Sequence, residues 1–117
     1  MNVTDANFPQ EVLQSEVPVL VDFYADWCNP CRTASPFIDE IAEEYTGRVK
    51  VVKVNVDQDS KYAVENNVRG IPNFIVFKGG ERVAQFIGWS GDTAAQIKAA
   101  LDAALGATPV TTEASNS

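Results

Sequence analysis

Two cysteines separated by two residues, at the end of an apolar segment, constrain the fold of this chain more than any other feature. Residues 19–25 are apolar apart from one acid and mostly β-branched or aromatic, which indicates a short strand buried on both faces. After Cys31 the apolar spacing becomes that of a helix, with Phe37, Ile38, Ile41, Ala42 and Tyr45 at intervals of three and four. Cys28 and Cys31 are therefore predicted to lie where a strand turns into a helix.

The start of a helix favours a thiolate, because unpaired backbone N–H groups and the positive end of the helix dipole lie there. Cys28 is predicted at or just before the first helical turn, and Cys31 one turn inside. Disulfide exchange requires a thiolate, so Cys28 is the candidate nucleophile and Cys31 the candidate resolving thiol. We expect Cys28 to be accessible and Cys31 to be shielded.

The chain has no other cysteine and no histidine, which narrows its chemistry. A Cys–His nucleophile pair is excluded, and a lone CxxC supplies only half of the usual zinc ligand set. CxxC next to a βαβ pattern favours redox exchange over a structural disulfide, because so short a loop gains little from closure. Half of a shared metal site is the remaining alternative. We predict no metal site within the chain.

Composition limits the class of protein and its partners. A chain of 117 residues with 45% hydrophobic residues supports one globular domain. Its net charge is -7 and it has no basic run, which argues against a nucleic-acid partner. It also lacks the long apolar run of a membrane span and a basic start followed by an apolar block. We therefore expect a cytoplasmic protein without a membrane segment.

The remaining sequence predicts alternating strands and helices. A helix over 28–45, with Pro36 kinking its interior, is followed by a strand over 49–56. A strand, a helix and a strand of these lengths form a βαβ unit, so the two strands should be parallel. The other predicted elements are an edge strand around Val3, helices over about 5–14 and 60–66, a hairpin of strands 73–77 and 82–87, and a last helix after Asp92.

Helix caps, core residues and the domain boundary follow from the same patterns. Thr4 or Asp5 is expected to cap the first helix and Asp92 the last. Residues 1–105 are predicted to form the domain, and 106–117, without periodicity, a disordered tail. The core positions predicted by periodicity are Phe8, Val12, Leu13, Tyr62, Val64, Ile97, Leu101 and Leu105.

The cysteine segment resembles the thioredoxin family: a strand ending in an aromatic residue, then Ala-acid-Trp-Cys-x-Pro-Cys-basic, with Asp22 six residues before Cys28. Gly70-Ile71-Pro72 resembles the family's loop that ends in a cis-proline facing the cysteines. The resemblance covers about residues 3–105. It implies an α/β thioredoxin fold, with a central mixed sheet flanked by helices on both faces.

The resemblance also implies an activity. The chain is expected to be a protein disulfide reductase, carrying two electrons on Cys28 and Cys31 with no other cofactor. A thioredoxin reductase would recharge it, client proteins with disulfides would be its substrates, and it would be a monomer. Two alternatives stay open: a disulfide oxidase or isomerase, since neighbouring residues set the potential, and a non-catalytic docking adaptor.

Asp22 interrupts an otherwise apolar strand, and burial of a carboxylate there raises its pKa. The resemblance implies that it takes the proton from Cys31. The alternative is a structural carboxylate bonded to backbone groups at a strand bulge. Lys53 matches a family lysine near this acid and could tune it by its charge, or it could be a solvated surface lysine.

The resemblance further implies a flat apolar docking surface around the cysteines, in which the residue before the cis-proline pairs with the client's backbone. Pro30 fixes the backbone between the cysteines. Asn29 replaces the family's glycine, and could donate to the thiolate, touch the client or reflect neutral drift. Trp89 could anchor its loop or enlarge the docking patch. The residues assigned to the surface by resemblance are Trp27, Gly70, Ile71, Pro72 and Gly88.

Overall fold

The computed structural model describes residues 1–106, which form a four-stranded mixed sheet with helices on both faces. The strands are β1 (Val19–Tyr24), β2 (Lys50–Asn55), β3 (Asn73–Lys78) and β4 (Glu81–Ile87). Their order in the sheet is β2-β1-β3-β4. β1 is parallel to β2 and antiparallel to β3, and β3 and β4 form an antiparallel hairpin. The predicted α/β thioredoxin architecture and the parallel βαβ unit are confirmed.

The strand before the cysteines lies in the middle of this sheet and is buried, as its apolar sequence predicts. Its side chains alternate between two cores. Val19, Val21 and Phe23 join the core that contains Phe8 and the helix α2 (Lys61–Glu65). Leu20 joins the core on the other face, beneath α1 (Asn29–Glu44) and α3 (Thr93–Ala104); its helical members include Ile38, Ile41, Ile97 and Leu101.

The helix α1 positions the cysteines. Ile38 and Ile41 are almost completely buried, and each contributes roughly 1.5–3 kcal/mol of burial free energy. Pro36 lies inside the helix, as predicted. Phe37, counted in the apolar repeat, is instead 46% exposed, because it lies at the border of the buried face and contacts Trp89.

The N-terminal segment differs from its prediction. Val3 belongs to no strand, and Asn2 forms only an isolated parallel bridge with Lys53. The helix is shortened to a π-helix over Pro9–Leu13 without a side-chain cap. The two predicted caps bond elsewhere: the Thr4 hydroxyl donates to Asn7 Oδ1, and Asp5 Oδ1 accepts from the Lys61 N–H.

Two further predictions on helices α2 and α3 are wrong. Val64 is 74% exposed, because α2 buries only its face with Tyr62 and Ala63, and Tyr62 stacks on Phe8 at 4.2 Å. Asp92 precedes α3 but its side chain makes no cap. The hydroxyl of the next residue, Thr93, instead accepts from the Ser90 N–H at 3.0 Å.

The predicted tail lies almost entirely outside the described residues, which end at Gly106. Within residues 1–106, every helix is too short or too polar to span a lipid bilayer.

Candidate active site

Cys28 and Cys31 form a disulfide at the junction of β1 and α1, with their Cα atoms 5.2 Å apart. Cys28 is the N-cap of the helix, in an extended backbone conformation, and its Sγ accepts from the Cys31 N–H at 3.2 Å. The Cys28 N–H donates to Ala25 O, and the Arg32 N–H donates to Cys28 O. The helix start therefore directs a backbone donor at the first sulfur, as its predicted position requires.

The expected difference in accessibility between the cysteines is wrong for this disulfide form. The exposed fraction is 3% for Cys28 and 5% for Cys31, because both pack against Ala25, Tyr24, Val56 and Ile71. Their surroundings differ in another way. Cys31, but not Cys28, lines a groove of about 420 Å³ that it shares with Asp22. The two sulfurs therefore have different neighbours although they are equally covered.

The Gly70-Ile71-Pro72 loop lies beside the disulfide. The Ile71–Pro72 peptide bond is cis, as expected, and Ile71 packs against the cysteine cluster. Pro72 O accepts from the Gly88 N–H at 2.8 Å, which joins this loop to the end of β4. Gly88 has φ +84°, a left-handed conformation that favours glycine, although a Cβ atom there would meet no other atom within 4 Å. Gly70 is exposed and lies next to Ile87.

Trp27 is 67% exposed, yet it is held in place. Its Nε1–H donates to Asp57 Oδ2 at 2.8 Å, and Asp57 follows β2. Asp57 was not predicted as a site residue. The available signal was that the parallel strands β1 and β2 end at the same edge of the sheet, so residues just after each strand lie close together.

Asn29 and Pro30 are exposed in the first turn of α1, where proline is well tolerated. Asn29 Oδ1 accepts from Arg32 Nη2, and Arg32 Nη1 donates to Asp26 O. The Asn29 side chain is thus engaged with Arg32, and within residues 1–106 it makes no hydrogen bond to Cys28.

Trp89 lies half-buried in the loop after β4. Its ring contacts Phe74 at a centroid distance of 5.8 Å and Phe37 at 5.6 Å. These contacts place it against the core beneath α1 and α3 and favour the loop-anchor interpretation.

Asp22 is 3% exposed and lies in the sheet between Lys53 of β2 and Phe74 of β3. The register of β1 is continuous with both neighbours, so no bulge surrounds it. Its Oδ1 atom has no hydrogen-bond partner among residues 1–106. Burial raises the pKa of this carboxyl from 3.8 to about 7; the positive charge of Lys53 opposes the increase and the negative charge of Asp39 adds to it.

Lys53 is not a solvated surface lysine, since its side chain is only 20% exposed. Its Nζ forms an ion pair with Asp39 Oδ1 at 3.0 Å and donates to Ser35 Oγ at 2.9 Å. Ser35 and Asp39 lie on α1 and were not predicted as site residues. The residues that line the groove are Asn2, Asp22, Tyr24, Ala25, Asp26, Cys31, Arg32, Ser35 and Lys53.

Across the part of the chain that the structure describes, no group of three or more His, Cys, Asp or Glu side chains could hold a metal ion. The arrangement is instead that of dithiol–disulfide exchange. It combines a disulfide at a helix start, a buried carboxyl that lines the same groove as Cys31, and the exposed Trp27 immediately before Cys28.

Comparison with known proteins agrees with this chemistry. The thioredoxin family model matches residues 1–103. Thioredoxin 1 of Nostoc sp. is 54% identical over 86 residues, which cover 74% of this chain and 80% of the relative. The thioredoxin of Pyropia yezoensis is 56% identical with the same coverage, and that of Rickettsia felis 49% identical over 87 residues, 74% of this chain and 83% of the relative. This chain therefore belongs to the thioredoxin family.

Proposed function

We propose that the chain is a protein disulfide reductase whose two cysteines have distinct roles, with Cys28 as nucleophile and Cys31 as resolving thiol. The observation that carries this proposal is the Cys28–Cys31 disulfide at the start of α1 in a member of the thioredoxin family. The Cys31 N–H, 3.2 Å from Cys28 Sγ, is a donor that would stabilise a Cys28 thiolate in the reduced form.

The exchange takes place in two steps that balance in electrons and protons. The Cys28 thiolate attacks one sulfur of a client disulfide, forming a mixed disulfide and releasing the first client thiolate. The Cys31 thiolate then attacks Cys28 Sγ, which breaks the mixed disulfide and releases the second client thiolate. Two electrons pass to the client, and the chain is left with the Cys28–Cys31 disulfide.

Asp22 is the proposed acceptor of the Cys31 proton in the second step. The two residues line the same groove, whose volume of about 420 Å³ is sufficient for water molecules between them. A pKa of about 7 allows the carboxyl to accept a proton and to return it near neutral pH. Lys53 tunes Asp22 by its charge, which lowers the pKa of that carboxyl.

A client docks on the surface around Cys28, in this proposal; Pro72, assigned to that surface by resemblance, is itself buried. Trp27 and Ile71 contribute apolar contact, and the backbone of Ile71, which makes no hydrogen bond within residues 1–106, pairs with the client's backbone. The left-handed Gly88 leaves room beside them. The proposed surface consists of Trp27, Asn29, Pro30, Gly70, Ile71, Pro72 and Gly88, whereas the half-buried Trp89 anchors its loop through Phe74 and Phe37.

The finer cellular setting belongs to the same proposal. A thioredoxin reductase returns the disulfide to the dithiol, with no cofactor on this chain beyond the cysteine pair. The protein acts as a monomer in the cytoplasm, where client disulfides are reduced.

Three experiments test the proposal, of which the first is DTT-driven reduction of insulin. Turnover by the wild type and its loss in Cys28→Ser would support catalysis. Equal rates in the two proteins would instead support the alternative function, a non-catalytic docking adaptor. Equilibration with glutathione separates the rivals within the enzyme class, because an oxidase has a markedly less negative potential than a reductase.

The third experiment tests the order of attack by affinity purification of single cysteine variants from lysate. Cys31→Ser keeps the nucleophile but lacks the resolving thiol, so it should accumulate mixed disulfides that DTT releases. Cys28→Ser should trap almost nothing. Equal trapping by both variants, or more by Cys28→Ser, would reverse or remove the assigned roles.

A further inference from the structure

Lys53 forms its ion pair with Asp39 of α1 and not with Asp22, the neighbouring acid in the sheet. It lies directly opposite Asp22 in the register of the parallel strands β1 and β2, so both side chains belong to the same face of the sheet. Its ammonium group nevertheless bonds to Asp39 and Ser35 of α1, at 3.0 and 2.9 Å. Among the described residues, Lys53 forms its ion pair with Asp39 and none with Asp22, and Asp22 Oδ1 has no partner.

We propose that Ser35 and Asp39 are positioning residues for proton transfer at Asp22, because they hold the Lys53 ammonium group against α1 and keep it out of direct contact with the Asp22 carboxyl. The inference rests on the base role proposed above for Asp22. Ser35 and Asp39 are four residues apart on one helix, so they present two acceptors on the same face.

The physical reason is the effect of a direct ion pair on a buried acid. An ammonium group in contact with Asp22 would favour its ionised form and make it a weaker proton acceptor. Asp39 prevents this contact by pairing with Lys53. Its own negative charge acts in the same direction, since it raises the pKa of Asp22.

The groove makes the alternative arrangement accessible. Asp22, Cys31, Ser35 and Lys53 line the same space of about 420 Å³, so a released lysine side chain could rotate towards Asp22 without moving either strand. The chain therefore has two possible partners for one ammonium group, and α1 determines which of them is used.

The other charged or titratable groups around Asp22 stay the same in the test below. Asp26 and Arg32 line the groove, as does Tyr24, whose hydroxyl accepts from Asn2 Nδ2, and the cysteine thiols join them on reduction. From β3, the residue opposite Asp22 is the uncharged Phe74. A change at Asp39 can thus be attributed to Asp39 and Lys53.

The test compares Asp39→Asn with Glu40→Gln, which removes the same charge from the neighbouring exposed residue of α1. The ¹³C resonance of the Asp22 carboxyl is titrated by NMR in the oxidised proteins. We expect the Asp22 midpoint to fall by about one pH unit in Asp39→Asn. It should stay at the wild-type value in Glu40→Gln and return towards that value in Asp39→Glu.

A second background separates the two actions of Asp39. In Lys53→Met no ammonium group can be released, so adding Asp39→Asn should lower the midpoint by much less than it does in the wild type. An unchanged or higher midpoint in Asp39→Asn would overturn the inference, and so would an equal fall in Glu40→Gln. An undiminished fall in the Lys53→Met background would also overturn it, because Asp39 would then act by its charge alone.

Insulin reduction tests the proposed base role of Asp22 independently of the NMR titration. The pH profile of insulin reduction by Asp39→Asn should move to lower pH in parallel with the NMR midpoint. If Asp22→Asn reduces insulin at the wild-type rate, the base role of Asp22 fails, whereas the NMR titration still decides whether α1 controls the position of Lys53.

Discussion

Replacing Asp22 by asparagine should stabilise the oxidised protein, and by an amount that depends on pH. Burial raises the pKa of Asp22 from 3.8 to about 7, and each pKa unit corresponds to about 1.4 kcal/mol, so the ionised carboxyl costs the fold roughly 4 kcal/mol. Because the folded state binds the proton more tightly than the unfolded state, the free energy of unfolding falls as pH rises from about 4 to about 7. Asparagine is neutral at every pH, so the free energy of unfolding of the variant does not fall for this reason as pH rises.

The assay is urea unfolding of wild type and Asp22→Asn, both oxidised, at about pH 4 and about pH 8. The two proteins should be similarly stable at the lower pH, and the variant should be more stable by roughly 4 kcal/mol at the higher pH. Asp26→Asn, at an exposed carboxyl near the site, is the matched control and should show no such gain. A stability difference between wild type and Asp22→Asn that does not change with pH would refute the reasoning, as would a loss of stability at the higher pH.

Two other substitutions test the roles of Asn29 and Trp89. Asn29→Gly should make the cysteine pair modestly more reducing, because Arg32 loses the acceptor that holds its cation near the thiolate at the start of α1. Equilibration with glutathione measures the potential of both proteins. Equal potentials would assign Asn29 to neutral drift. Trp89→Ala should lower the free energy of unfolding by about 2 kcal/mol through lost contact with Phe74 and Phe37, with client trapping by the Cys31→Ser variant unchanged. Weaker trapping at unchanged stability would show that Trp89 belongs to the docking patch instead.

The central part of the fold could be predicted because its signals are local. The apolar run of β1, the change to helical spacing after Cys31 and the length of α1 together require a strand–helix–strand unit. Cys28 was predicted at or just before the first turn of this helix, and in the structure it is the N-cap of α1. Asp22 could be predicted as a site residue because an acid is unusual within an apolar, buried strand.

The errors occur where the local signal is short. α2 has five residues, so periodicity cannot decide which of its apolar side chains faces the core, and Val64 is exposed while Ala63 is buried. The caps predicted at Asp5 and Asp92 failed for a related reason. A side-chain oxygen near a helix start has several possible donors, and Asp5 accepts from the Lys61 N–H, a donor distant in sequence.

The partners of Lys53 show most clearly what a single sequence does not contain. Ser35 and Asp39 are ordinary polar residues of a helix, and no local rule distinguishes Asp39 from the exposed Glu40 beside it. Only the packing of α1 across β2 makes one of these acids the partner of a half-buried lysine. Asp22 could be predicted because it breaks a local rule, as an acid within an apolar strand, and the cis-proline at Pro72 was implied by the family resemblance. A residue that acts by holding another charged group breaks none, so its contribution is visible only in the folded structure.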